Sequence, residues 1–209
     1  MRIAVINEIS AADKNGHVLT ALDGLGHQII NAGMRKSGEG PELSYINTGL
    51  MAAVLLNAKA VDYVIGGCGT GQGFLISVMQ YPGVTCGHIL NPLDAWLFTQ
   101  INGGNCISLA LNQGYGWAGD INLRFIFEKL FSVQSGLGYP ESRREPQKAS
   151  RFLLHDVNVI THHAMPAIIE RLPADVVKPV ISFPGFMGTL EKYGDRSTGI
   201  IAALKKRRG

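Results

Sequence analysis

The chain has few cysteines, little net charge and no long apolar run. Three cysteines at unmatched spacings make neither a disulfide framework nor a zinc-binding pattern. A net charge of +3 is too small to indicate a nucleic-acid surface. No apolar run approaches the roughly 20 residues of a membrane span, and the opening MRIAVINEIS turns polar too soon for a signal peptide. We therefore expect a cytoplasmic protein without nucleic-acid or membrane partners.

Five short apolar runs, each followed by a predicted helix, occupy the first 131 residues. The runs are MRIAVIN, HQIINAG, VDYVIGG, GVTCGHIL and NCISLAL. Continuous apolar strands that alternate with helices are typical of a parallel sheet covered on both faces. With right-handed crossovers, this pattern predicts a doubly wound α/β layer with five strands.

The alternation ends after residue 131. The polar stretch SVQSGLGYPESRREPQKASRF indicates a long connection or an extended arm. Helical patterns follow around HAMPAIIERL and STGIIAALKKRR, with the apolar stretch VVKPVISFPGF between them. We expect residues 132–209 to be a C-terminal extension that packs on the first domain or on a dimer partner.

The glycine-rich segment GGCGTGQG follows the third predicted strand and opens a helix. Ligands of parallel α/β sheets bind at the carboxyl ends of strands, so Cys68 lies where a site is expected. The glycines let the backbone approach a ligand closely, and a helix N-terminus favours an anion, a thiolate included. We interpret Cys68 as a reactive thiol, and Cys86 and Cys106 as core residues of their strands.

Two chemistries for Cys68 remain open from the residues alone. A glutaminase-type nucleophile stands on a G-x-C-x-G turn and needs a histidine partner, for which His162 or His163 could serve. Thr70 occupies the position where that turn needs glycine. The other chemistry is proton abstraction α to a carbonyl, with the thiolate as base and backbone N–H groups on the enediolate oxygen.

The string CGTGQGFLIS resembles the C-G-T-G-x-G-x-x-x-S loop of the ribose-5-phosphate isomerase B and galactose-6-phosphate isomerase family. GHQIINAG, VDYVIGGCGTG and NPLDAWLFTQINGGN are similar to family segments in the same order, so the resemblance covers residues 1–131. It implies a Rossmann-like three-layer α/β sandwich and aldose–ketose isomerisation through an enediolate, without metal or cofactor. It also implies a homodimer, or a tetramer, with active sites at the subunit interface.

The resemblance assigns roles by position. Cys68 would move the proton between C1 and C2, and Thr70 would assist ring opening or hold a hydroxyl. The N–H groups of Gly69, Gly71 and nearby residues would stabilise the enediolate. The positions that it marks as substrate-binding are Glu8, Tyr45, Gly67, Gly69, Gly71, Gly73 and Asn102.

Two histidines of the family pattern are replaced. Its Asp-His pair corresponds to Glu8 and Ile9, and its histidine before Asn102 corresponds to Ile101, so the phosphate-binding and ring-opening imidazoles are missing. We expect substitutes on the same rim, at His88 and Asn91 near the carboxyl end of the fourth strand. For a phosphate the candidates are guanidinium groups, which suit that anion: Arg143, Arg144 and Arg151.

We therefore predict an aldose–ketose isomerase that acts on a pentose, a hexose or its phosphate, with Cys68 as general base. The alternative is a sugar-phosphate-binding relative that has lost catalysis together with the two histidines. A glutaminase-like hydrolase ranks third, because Thr70 breaks its turn.

Overall fold

Five parallel strands form the centre of the fold in a computed structural model that describes residues 1–38 and 40–208. The strands lie in the order β2-β1-β3-β5-β4, and every neighbouring pair is parallel. This confirms the predicted five-stranded parallel sheet. Their bounds are β1 Arg2–Asn7, β2 Gln28–Asn31, β3 Tyr63–Cys68, β4 Cys86–Ile89 and β5 Cys106–Ala110.

Helices cover both faces of the sheet, which gives the three-layer sandwich. Successive residues of β1 show why its sequence is continuously apolar: Ile3 and Val5 enter one core, whereas Ala4 and Ile6 enter the other. On the Ile3 side lie α1 Asn15–Leu22, α4 Pro92–Leu97 and α5 Gly119–Leu130. On the Ala4 side lie α2 Tyr45–Asn57 and α3 Gln72–Val78.

The connection after β1 is a 3-10 helix, Ile9–Lys14, which precedes α1. The side chain of Glu8 caps it by accepting a hydrogen bond from the Ser10 N–H at 3.0 Å. The carboxylate satisfies a free N–H of the first turn.

Four helices of the C-terminal extension share a hydrophobic core with α2. They are α7 Met165–Arg171, α8 Ala174–Ser182, α9 Phe186–Tyr193 and α10 Ile200–Lys206. Ile169, Val180, Leu190 and Leu204 are fully buried in this core. Residues 47–55 of α2 are all buried, because this helix is covered by the sheet on one side and by the extension on the other.

The polar stretch after residue 131 is helical over its second half, where a connection or an arm was expected. The long helix α6 runs over Arg144–Thr161 and contains no buried residue. Pro146 falls in its first turn, where the missing N–H costs no hydrogen bond. The helix therefore forms without packing into the core of its own chain. Among the described residues, no helix is both long and apolar enough to cross a membrane.

Candidate active site

The thiol of Cys68 and the hydroxyl of Thr70 lie together at the carboxyl end of β3. Cys68 is 6% exposed, and its Sγ atom is 4.0 Å from Oγ1 of Thr70. Oγ1 also accepts a hydrogen bond of 3.3 Å from the N–H of Gln72, the first residue of α3. Because the hydroxyl acts there as an acceptor, its own hydrogen remains available to the sulfur or to a substrate oxygen.

Hydrogen bonds from neighbouring strands and loops fix the turn that carries these two groups. Each carbonyl oxygen from residue 68 to residue 71 is an acceptor. The Cys68 carbonyl accepts from the N–H groups of Gly71 and Leu111, and the Gly69 carbonyl accepts from those of Asn112 and Gln113. The Thr70 carbonyl accepts from the His88 ring, and the Gly71 carbonyl accepts from the Ser108 hydroxyl. A turn held at four successive carbonyls presents its side chains in one arrangement.

The N–H groups of Gly69 and Gly71 are both used within the protein. Gly69 donates to Oγ of Ser10 at 2.8 Å, and Gly71 donates to the carbonyl oxygen of Cys68 at 3.3 Å. These are the N–H groups that the resemblance assigns to the enediolate oxygen. In this structure they hold the turn instead.

Glu8 is buried beside the turn and reaches it through one hydroxyl group. It is 3% exposed, and its carboxylate accepts hydrogen bonds from the N–H and the hydroxyl of Ser10. The Ser10 hydroxyl in turn accepts from Gly69, while the Asn112 side chain donates to the Ser10 carbonyl at 2.7 Å. A buried carboxylate needs such partners, so the loop after β1 and the Cys68 turn form one hydrogen-bonded unit.

Tyr45 and two glycines complete this end of the site. Tyr45 opens α2 and is 43% exposed, and a Cβ atom on Gly73 would lie 3.0 Å from its ring. A Cβ atom on Gly67 would lie 2.6 Å from the carbonyl oxygen of Leu109 on β5. Gly73 therefore admits the tyrosine ring beside the turn, and Gly67 admits the neighbouring strand.

His88 in β4 and Asn91 just after it lie at the carboxyl end of this strand as expected, but both side chains have partners within the protein. Nε2 of His88 lies 3.1 Å from the carbonyl oxygen of Thr70, and Nδ1 lies 3.3 Å from Nε2 of Gln72. Oδ1 of Asn91 accepts from the N–H groups of Leu93 and Asp94, which caps α4. The structure thus places His88 on the Cys68 turn and Asn91 at a helix end.

Asn102 lies at the opposite end of the sheet from Cys68. It is exposed and ends a short π-helix, Phe98–Asn102, that leads into β5. Cys106 at the start of β5 pairs with Val64, whereas Ala110 at its end pairs with Cys68. Four residues of strand separate the two ends by about 13 Å, so Asn102 does not meet Cys68 of its own chain.

The three arginines belong to the Asn102 end. Arg151 donates to the carbonyl oxygens of Ile101, at 2.9 Å, and Gly136. Arg144 pairs with Glu141 at 3.1 Å, and Arg143 is exposed. The expected phosphate-binding role of Arg151 therefore competes with a structural one, since its guanidinium already holds two backbone carbonyls.

Four residues that touch the Cys68 turn were not predicted from the sequence: Ser10, Gln72, Ser108 and Asn112. Ser10 and Asn112 are polar residues just beyond the carboxyl ends of β1 and β5, and that position was an available signal. Cys106 behaves as the core residue that was expected, because burial raises the pKa of its thiol well above the usual value.

The fold is a parallel α/β sandwich, and its candidate active site is a buried thiol on a glycine turn. Comparison with known proteins identifies the family to which the chain belongs. The sequence model of the Ribose/Galactose Isomerase family matches residues 3–130, more than half of the chain. This protein belongs to that family. No protein with a curated description matches the chain.

Two solved structures are similar over the whole length. One is a 4-deoxy-L-threo-5-hexosulose-uronate ketol-isomerase complexed with a tartrate, 36% identical, with a TM-score of 0.94 and 99% of each chain covered. The other is a ribose-5-phosphate isomerase from Vibrio parahaemolyticus, 41% identical, with a TM-score of 0.92, covering 98% of this chain and 99% of that one. The C-terminal extension is therefore shared with both proteins.

The shorter isomerases share the fold alone. The type B ribose 5-phosphate isomerase from Trypanosoma cruzi is 17% identical, with a TM-score of 0.65, and covers 76% of this chain but 99% of its own. Membership of the family and the two full-length relatives make this protein a sugar isomerase.

Proposed function

We propose that the protein is a ketol-isomerase in which Cys68 is the general base. The observation that supports this most directly is the buried thiol beside the Thr70 hydroxyl, 4.0 Å apart, on a turn held at four carbonyls. A base and a hydroxyl donor placed side by side suit proton transfer next to a sugar carbonyl.

The reaction needs only the movement of protons. The Cys68 thiolate would remove the proton from the carbon α to the carbonyl, and the electrons of that C–H bond would form the enediolate double bond. The resulting thiol would return the proton to the former carbonyl carbon, while a hydroxyl proton passes between the two oxygens. Thr70 would donate its hydrogen to the oxygen that gains charge.

We further propose that the substrate is a keto-sugar that carries a carboxylate rather than a phosphate. Isoleucine stands at positions 9 and 101, where the family resemblance has imidazoles, and the Arg151 guanidinium already holds two backbone carbonyls. The 36% identical relative is described as acting on a hexosulose uronate, which is a substrate of this kind. A sugar phosphate is the second candidate, supported by the 41% identical ribose-5-phosphate isomerase.

A second copy of the chain would complete the site, so we propose a homodimer. Asn102, the expected sugar-binding asparagine, lies at the far end of the sheet from Cys68 of its own chain. Helix α6 begins near this end and presents large apolar residues to solvent: Phe152, Leu153, Leu154, Val157, Val159 and Ile160. An exposed apolar helix of this length is typical of a surface covered by another chain.

The test is a direct comparison of substrates. The purified protein is incubated in D2O with 4-deoxy-L-threo-5-hexosulose uronate or with ribose 5-phosphate, and NMR follows product formation and deuterium uptake. We expect turnover of the uronate with solvent deuterium on the carbon that receives the proton, and no turnover by Cys68→Ala. Faster turnover of ribose 5-phosphate would favour the second candidate. Binding measured by calorimetry without conversion of either compound would contradict the assignment as an enzyme.

A further inference from the structure

His88 holds the part of the Cys68 turn that carries Thr70. The carbonyl oxygen of Thr70 can only accept a hydrogen bond, so Nε2 of His88, 3.1 Å away, carries the hydrogen. The other ring nitrogen, Nδ1, faces the Gln72 side-chain nitrogen at 3.3 Å and accepts from it, because an amide nitrogen only donates. Both contacts therefore indicate the tautomer with its hydrogen on Nε2. Gln72 orients the ring, and the ring donates to the turn.

The sequence of the turn leaves room for this ring. Gly71 has a φ of +76°, and a Cβ atom there would lie 2.5 Å from Nε2 of His88. A side chain at position 71 would therefore both strain the backbone and displace the imidazole. The imidazole ring can approach the turn this closely because Gly71 has no side chain.

The hydrogen bond from His88 to Thr70 affects the Cys68 thiol and the Thr70 hydroxyl through one peptide group. The Thr70 carbonyl fixes the peptide plane between residues 70 and 71, and the same residue carries the Oγ1 atom that faces Sγ of Cys68. His88 and Gln72 line a cavity of about 300 Å³ between the ends of β4 and β5 and helix α5. Without the ring, the turn could relax toward this space and carry Oγ1 away from the sulfur.

We infer that His88 is a positioning residue that aligns Thr70 with Cys68 and does not contact the substrate. The inference rests on the proposed function, in which Cys68 is the base. It assigns to the imidazole a role other than the substrate contact expected from the sequence. A group that acts only through geometry should affect the chemical step rather than substrate binding.

The experiment compares His88→Leu, His88→Gln and the control His163→Asn, which alters an exposed histidine of the extension. We expect His88→Leu to lower kcat by about 10- to 100-fold, the scale of a small misplacement of reacting groups, with KM nearly unchanged. His88→Gln should restore most of kcat, because its amide nitrogen can donate to the same carbonyl. Alkylation of Cys68 by iodoacetamide should be faster in His88→Leu, because a loosened turn exposes the buried thiol.

The following results would contradict the positioning role of His88. A kcat of His88→Leu equal to that of the parent protein would overturn it, and so would a large rise in KM at constant kcat, which describes a substrate contact. If His88→Leu does not fold, Gln72→Met removes the support of the ring at an exposed position, and an unchanged kcat there would be equally negative. The proposed function fails separately: in that case Cys68→Ala remains active, whatever the His88 variants do.

Discussion

The guanidinium group of Arg151 donates a hydrogen bond of 2.9 Å to the carbonyl oxygen of Ile101, one residue before Asn102. The N–H groups of Gly136 and Gly138 donate to the two preceding carbonyls of the π-helix, those of Thr99 and Gln100, at 2.8 and 2.7 Å. These bonds fasten Asn102, the connection after α5 and helix α6 into one unit. If a second copy binds α6, Asn102 would therefore lie in a defined position next to that copy.

Subunit mixing tests whether two copies share a site. Cys68→Ala and Asn102→Ala should each be inactive alone. A mixed dimer would contain one site with both native residues, and random pairing should restore about a quarter of the native activity. The two purified variants are dissociated, mixed and assayed after reassociation. No recovery, although mixed dimers are shown by mass spectrometry, would mean that each chain uses its own Asn102.

Helix α6 should carry the contact between copies. Leu153, Val157 and Ile160 follow one face of the helix and are 66%, 45% and 82% exposed. Val157→Asp places a charge in the middle of this face, so we expect a folded monomer with little activity, measured by light scattering and by turnover. The control Lys148→Ala changes an exposed residue on the other side of the same helix and should leave the dimer intact. A Val157→Asp dimer of native stability would place the interface elsewhere.

The thiol of Cys68 should be essential, and that of Cys86 should not be. Loss of a general base costs about 10²- to 10⁴-fold in rate, so we expect Cys68→Ala to lower kcat by that amount. Cys86 is half-buried on β4, and Cys86→Ala should stay close to the native rate. Exchange of the substrate α-proton with solvent, followed by NMR, should disappear only in Cys68→Ala. Exchange at the native rate in this variant would exclude Cys68 as the base.

The pH dependence of stability should reveal how Asp195 caps the short 3-10 helix Arg196–Thr198 of the extension. Hydrogen bonds from the hydroxyl and the N–H of Ser197, and then from Lys59, lower the pKa of Asp195 to about 2 from its ordinary 3.8. Because the folded-state value is depressed, this contribution is complete above about pH 4 and is lost as the pH falls toward 2. Urea unfolding of Asp195→Asn should show a smaller loss of stability across that window. Lys59→Met removes only the third of these hydrogen-bond partners. This variant should therefore still show most of the loss of stability that the native protein shows as the pH falls.

The sheet and the reactive loop were predictable because both leave local signals. Strands buried on both faces are continuous apolar runs, and a glycine turn after such a run marks the carboxyl end where Cys68 lies. The separation of Asn102 from Cys68 was also implicit, since Asn102 precedes its strand and Cys68 ends its own. Parallel strands place these positions at opposite edges.

Other features were harder to predict. Helix α6 does carry apolar residues at helical spacing, Leu153, Val157 and Ile160 among them. The Gly, Pro and charged residues before them favoured a connection, and the helix buries nothing in its own chain. The roles of Ser10 and His88 arise from distant segments that meet at the Cys68 turn, 59 residues apart in the first case. Such pairings are set by the packing of the whole sheet.

Ser10 offers a last test of how the turn is held. Ser10→Ala removes the hydroxyl that joins the buried Glu8 carboxylate to the Gly69 N–H, at 2.8 Å from the latter. The loss of a hydrogen bond to a buried charged group should lower the free energy of unfolding by about 1.5–3 kcal/mol, measured by urea denaturation. We also expect kcat to fall, because the turn loses its anchor on the β1 side. Ser142→Ala changes an exposed serine of the extension and should alter neither quantity. If Ser10→Ala is as stable and as active as the native protein, the carbonyl contacts alone hold the turn, and the anchor on Glu8 is dispensable.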